Sequence, residues 1–232
     1  MSLETLNDLR GRLDALVGEV DPATPQGRKR RRLIDAAIER FVAQGYRKTN
    51  IDEIARDAGV AKGTVYLYFE SKPALLLAAV ASEKRRLFDL LDGIYDPSAP
   101  PRVRLRRFVR AALLMVAGSP LITRFVDGDA DFMTALAELD PALLAQATTD
   151  QRSFLGGLLD AAAAPASLDD RARAEGVMVL DALSALAPRL RDASGRHAMG
   201  LERVVDVFAA VFVDGIIAGI IAGTGGDAAD PE

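Results

Sequence analysis

The stretch "GYRKTNIDEIARDAGVAKGTVYLYFESKPALL", residues 45–76, decides the fold. Asn50 with Glu53 three residues on is a capping-box-like pair, so a short helix starts there and runs over 51–58. Gly59 then breaks the chain direction, and "KGTVYLYF" reads as a second short helix. Ser71 caps a longer one, with Pro73 in its first turn, where a missing N–H costs nothing. Upstream, Ile34, Ala37, Ile38, Phe41 and Val42 recur at helical spacing until Gly45 ends the run.

Helices at 27–44, 51–58 and 62–68, with a glycine between the last two, match the helix-turn-helix, whose last helix enters the DNA major groove. An isolated seven-residue helix is marginal in water, so its neighbours must hold it. Val60, Val65 and Phe69 are expected to pack against Ile51, Ile54, Phe41 and Ile38. Lys62, Thr64, Tyr66 and Tyr68 are then expected outward as donors to phosphates or base edges, with Gly63 leaving room for close backbone approach.

The charge pattern agrees. The chain carries a net charge of −4, yet residues 26–75 hold 11 Lys and Arg against 6 Asp and Glu. A basic module on an acidic remainder suits a polyanionic partner. The run "RKRRR" at 28–32 sets five cations at a helix start, against the positive end of the helix dipole, and phosphate is the counter-charge that offsets them for one or two, Arg30 among them.

The chain of 232 residues is half apolar and has no cysteine and one histidine, His197, which excludes disulfides and thiolate or His-rich metal sites. The N-terminus has no signal-peptide core, so a cytoplasmic location is expected. Leu3, Leu6, Leu9, Leu13, Leu16 and Val20 predict a helical extension over 1–25. Beyond the basic module, prolines and glycines cut the chain into helix-length segments without strand-type alternation. Ser167 with Asp170 is expected to cap a helix reaching about Ala187, and the last helix is expected over roughly 198–222.

Residues 45–76 resemble the tetracycline-repressor (TetR) family of bacterial transcription regulators, through the Gly-aromatic pair at Gly45 and Tyr46, Ile54-Ala55, Ala58-Gly59-Val60, Lys62-Gly63-Thr64, Tyr66-Leu67-Tyr68-Phe69 and Ser71-Lys72. Ala61 stands where a serine is common, which removes one hydroxyl contact. The resemblance covers about 50 residues with the preceding helix. It implies an all-α protein in which an N-terminal helix-turn-helix DNA-binding domain, 26–75, precedes a larger helical domain, 76–232, for effector binding and dimerisation. It further implies that Thr49 and Asn50 contact phosphate, that Lys62, Gly63, Thr64 and Tyr68 approach bases or backbone, and that Tyr66 and Lys72 clamp phosphates. The partners implied are a palindromic duplex operator, a small-molecule effector and a second copy of the chain.

In the acidic body, Met115, Phe125, Phe132, Met133, Phe154 and Met178 are the candidates to line a pocket for a small, largely apolar effector, with Arg110, Arg124 and Asp181 as candidate polar anchors. No cofactor or metal is expected. Gly215, Gly219 and Gly223 fall on one helical face beside Ile216 and Ile220, a smooth surface expected to meet the partner subunit or the preceding helix. The apolar run at 207–223 is at the short limit for a membrane span and contains Asp214, so no membrane is expected. An enzyme is excluded as a reading by the absence of a nucleophile–base set or a phosphate loop after a strand. The competing reading is a helical adaptor of this fold that has lost DNA binding.

Overall fold

A computed structural model describes residues 11, 21, 23–90, 96, 98–197 and 199–224; the helix expected within 1–25 lies largely outside them. Eleven α-helices are present among the described residues: α1 Pro25–Gln44, α2 Ile51–Asp57, α3 Lys62–Tyr68, α4 Lys72–Leu90, α5 Pro101–Gly118, α6 Pro120–Val126, α7 Ala130–Leu136, α8 Pro141–Ala163, α9 Asp170–Leu183, α10 Ala187–Arg196 and α11 Leu201–Thr224. No strand occurs among them. Two compact units divide the chain, one drawn from Asp8–Arg86 and Ser119–Ala145, the other from Leu87–Gly118 and Gln146–Glu232.

In the first unit, α1 begins at a Thr24 cap whose Oγ1 accepts from Gly27 N at 3.0 Å, and it ends at Gly45, where φ is +80°. That backbone conformation suits glycine, and it turns the chain into α2. Leu33, Ile34, Ala37 and Phe41 are buried on one face of α1 with Ile51, Ile54 and Val65 from the next two helices. Gly59, at φ +67°, makes the turn between α2 and α3. The unit also recruits α6 and α7: Phe132 is fully buried against Phe41 and Tyr46, with ring centroids 6.5 and 6.4 Å away. Both contacts are edge-on, the arrangement the ring quadrupoles favour.

In the second unit, α11 packs along α5 and α9. Val205, Ala209, Val213 and Ile217 are each fully buried, an unbroken i, i+4 seam. Acidic residues flank that seam and meet the arginines of α5: Asp214 pairs with Arg106 at 3.2 Å and Asp206 with Arg110 at 2.5 Å. The charge inside the apolar run therefore has a partner. By length and composition α11 is long and apolar enough to cross a membrane.

Three sequence expectations are corrected here. Asp169, not Ser167, caps α9, accepting from Ala172 N at 2.7 Å, because the helix starts two residues later than "SLDD" suggests and a carboxylate then faces the open N–H groups. The helix also stops at Leu183, passing through a 3-10 turn, Ser184–Leu186, into α10. Ile220 is buried near Gly176 of α9 rather than flanking an open groove: a Cβ on Gly176 would meet Ile220 at 3.6 Å and Leu159 at 2.9 Å.

Candidate nucleic-acid interface

The candidate interface is built by α2, the Gly59 turn and α3. Asn50 fixes the start of α2, its Oδ1 accepting from Asp52 N at 3.0 Å, which leaves one orphan N–H fewer. Arg40 of α1 ties α2 from behind, its Nε donating to Asp57 at 2.5 Å, while Gln44 donates to Glu53 at 2.8 Å. Hydrogen bonds from these partners hold the Asp57 and Glu53 carboxyls below their ordinary pKa range. α2 is thus pinned to α1 at two points.

On α3, Val65 is buried and Lys62, Gly63, Tyr66 and Leu67 are exposed, Leu67 at 84%. Thr64 and Tyr68 are half-buried. The outward face is therefore 62, 63, 66 and 67 rather than the expected 62, 64, 66 and 68. A 3.6-residue period brings i, i+1, i+4 and i+5 to one side, whereas every second residue belongs to a strand. Leu67, which sequence reasoning missed, is an apolar side chain in the middle of a polar set. A Cβ on Gly63 would meet nothing within 4 Å, so no internal packing requires glycine there.

Lys62 Nζ donates to Asp52 Oδ2 at 2.9 Å, and that hydrogen bond holds the lysine above its ordinary pKa. Lys72 lies 4.2 Å over the Tyr46 ring and reaches the Arg47 carbonyl at 3.5 Å. Burial pushes the Lys72 pKa down and the Tyr46 phenol up to about 12, the latter with help from Glu138.

Two expected contacts are reassigned by burial. Thr49 is buried and donates its hydroxyl to Gly45 O at 2.7 Å, so it locks the turn before α2 instead of offering a hydroxyl to phosphate. Arg30 is only 9% exposed, with its guanidinium 4.3 Å over the Phe69 ring and Nη1 buried without a hydrogen-bond partner among the described residues. Its desolvation lowers its pKa. Arg28, Arg31 and Arg32 of the same run are exposed, with Arg31 bonded to Asp35 at 3.0 Å.

The six pocket candidates are dispersed. Phe125, Phe132 and Met133 belong to the first unit; Met115, Phe154 and Met178 belong to the second. Phe132 is core, Phe125 lies 4.7 Å under Lys84, and Phe154 meets Phe108 edge-on at 5.3 Å. Met133 and Met178 are exposed. All three candidate anchors are engaged by protein: Arg110 by Asp206, Arg124 by Asp129 at 3.5 Å, and Asp181 by Gln151 at 2.6 Å. On α11, a Cβ at Gly215, Gly219 or Gly223 would meet nothing within 4 Å. The preceding helix therefore does not cover that face.

Residues 33–79 match the model of the family described as bacterial regulatory proteins, tetR family. The transcriptional repressor KstR of Rhodococcus jostii is 32% identical over 148 residues, 59% of this chain and 68% of that protein. The chain belongs to the tetR family. Similarity to the regulator SrpR of Pseudomonas putida, 50% identical over 58 residues, spans 25% of this chain and only 27% of SrpR. The crystal structure of FadR from Bacillus subtilis in complex with stearoyl-CoA shares the fold, with a TM-score of 0.55 and 19% identity over 82% of this chain and 98% of that one. Within the tetR match lie α2, α3, the exposed face of α3 and Lys72.

Proposed function

We propose that this tetR-family protein is a sequence-specific DNA-binding regulator that represses transcription as a homodimer on a palindromic operator and is released by a small, largely apolar effector. The observation that carries the reading is the exposed face of α3, where Lys62, Gly63, Tyr66 and Leu67 stand outward opposite the buried Val65, beside an α2 braced by Arg40 and Gln44. A lysine and a phenol supply donors for phosphates and base edges, glycine allows close approach, and a leucine suits a thymine methyl. Asn50 at the start of α2 and Lys72 at the start of α4 serve as phosphate contacts, with Thr64 and Tyr68 at the margins.

Residues 26–75 then carry DNA binding and 76–232 carry effector binding and dimerisation. Support for an apolar effector comes from FadR, which is crystallised with stearoyl-CoA. The open glycine face of α11, with Val211 70% exposed beside it, supports a subunit interface there. The ion pairs of Asp206 and Asp214 with α5 favour a cytoplasmic protein over a membrane-anchored one.

Gel-shift titration of the full chain against DNA from its own upstream region, with and without a long-chain acyl-CoA, tests this. Salt-sensitive binding to a discrete site, relieved by the ligand, is the expected result. Binding to no sequence above background would favour the adaptor reading, and binding untouched by acyl-CoAs would remove that effector class.

A further inference from the structure

Asp52 lies in the first turn of α2, and its carboxylate meets Lys62 Nζ, the first residue of α3, at 2.9 Å. Each side chain is about half exposed, so the pair stands on the same surface as the outward face of α3. For a surface that only has to attract DNA this arrangement is counterproductive. Sequence-independent attraction grows with the number of phosphates that cations neutralise, and here a carboxylate occupies the lysine. Arg47, Lys48 and Arg56, within five residues of Asp52 in sequence, are exposed cations as well.

We propose that Asp52 is a specificity-determining residue, whose carboxylate and the Lys62 ammonium act as one acceptor–donor unit on a single G·C base pair. The inference rests on the DNA-binding reading given above. In the major groove a G·C pair presents guanine O6 and N7 as acceptors beside the cytosine N4 amine as donor. Lysine donates to the first and the carboxylate accepts from the second, so the paired side chains mirror the edge of one base pair. At an A·T pair the adenine N6 amine lies between the N7 and thymine O4 acceptors, so the unit cannot set the lysine on two adjacent acceptors with the carboxylate on the amine beyond them, and the docked carboxylate loses water beside phosphates that repel it. The residue thus weakens binding to wrong sequences more than it strengthens binding to the right one.

The test is selection from a randomised duplex pool by the full-length chain and its Asp52→Asn variant, followed by salt titrations on the selected site and on an unrelated duplex. The wild-type motif should contain one G·C pair per half-site that Asp52→Asn no longer enriches. The ratio of affinities for selected and unrelated DNA should fall about tenfold, the scale of one base-pair discrimination. The log–log salt slope on unrelated DNA should steepen by about 0.9, one further phosphate contact from the freed Lys62. Lys62→Gln should lose the same base pair, which keeps the test independent of any folding defect in the Asp52 variant. Identical motifs, ratios and slopes for wild type and both variants overturn the role of Asp52. A wild-type chain that enriches no motif overturns the DNA-binding reading itself, and Asp52 falls with it.

Discussion

Arg30 belongs to a run of five cations, yet its guanidinium is stacked on Phe69 at the C-terminal end of α3. Burial and an aromatic face make it a packing residue that orients the recognition helix, so Arg30→Ala should cost about 1–2 kcal/mol in urea unfolding, from the lost cation–π contact and its buried stem. The exposed neighbours Arg28 and Arg32 should behave differently, leaving stability unchanged on substitution. Lys72 is the reverse case, a partly buried lysine at the edge of the candidate surface. Lys72→Ala should lower affinity for all duplexes alike and reduce the salt slope by about 1, because a phosphate contact positions without specifying. An unchanged slope in a folded variant would remove Lys72 from the interface.

At the level of elements, α7 contributes to the core beneath the basic module through Phe132. Phe132→Ala should destabilise that unit by about 3–5 kcal/mol and abolish DNA binding together with any ligand response, the pattern of a lost core ring rather than of a lost ligand contact. The clamp between α1 and α2 adds a pH dependence. Asp57 and Glu53 have lowered pKa values in the folded chain, so their stabilisation is present above the ordinary carboxylate range and disappears as pH falls through the lowered values. Thermal midpoints of wild type should therefore fall below about pH 4, and Arg40→Met should lower the midpoint at neutral pH while flattening that acid limb. Glycines divide by element in the same way. Gly176→Ala should destabilise, since its Cβ would sit 2.9 Å from Leu159, whereas Gly219→Ala, with nothing near, should be neutral or slightly stabilising in the isolated subunit.

For the molecule as a whole, the open face of α11 and the basic module make a joint prediction. If Gly215, Gly219 and Gly223 meet a second copy, Gly219→Leu will elute as a monomer while its helical signal stays intact. It will also lose cooperative operator binding, because two half-sites need two linked helix-turn-helix modules. A dimer with unchanged DNA affinity would take the glycine face out of the interface. The wild-type protein should also bind unrelated duplex with strong salt dependence despite a net charge of −4 per chain, since residues 26–75 carry the local excess of cations.

The all-α class, the helix-turn-helix and the positions of α1, α2 and α3 were legible in the sequence because local signals set them: Asn50 as a cap, Gly45 and Gly59 at positive φ, and apolar residues at helical spacing. The outward placement of Lys62 and Tyr66 on α3 was legible for the same reason. Burial was not legible, because a side chain's partner is distant in sequence. Only the tertiary structure turned Arg30 onto Phe69, sank Thr49 into the turn, brought Phe132 from α7 onto Phe41 and set Leu67 outward. The contact between Asp52 and Lys62 joins residues ten positions apart across the Gly59 turn. Local propensity chose the helices; which of their side chains share a surface depended on how those helices pack.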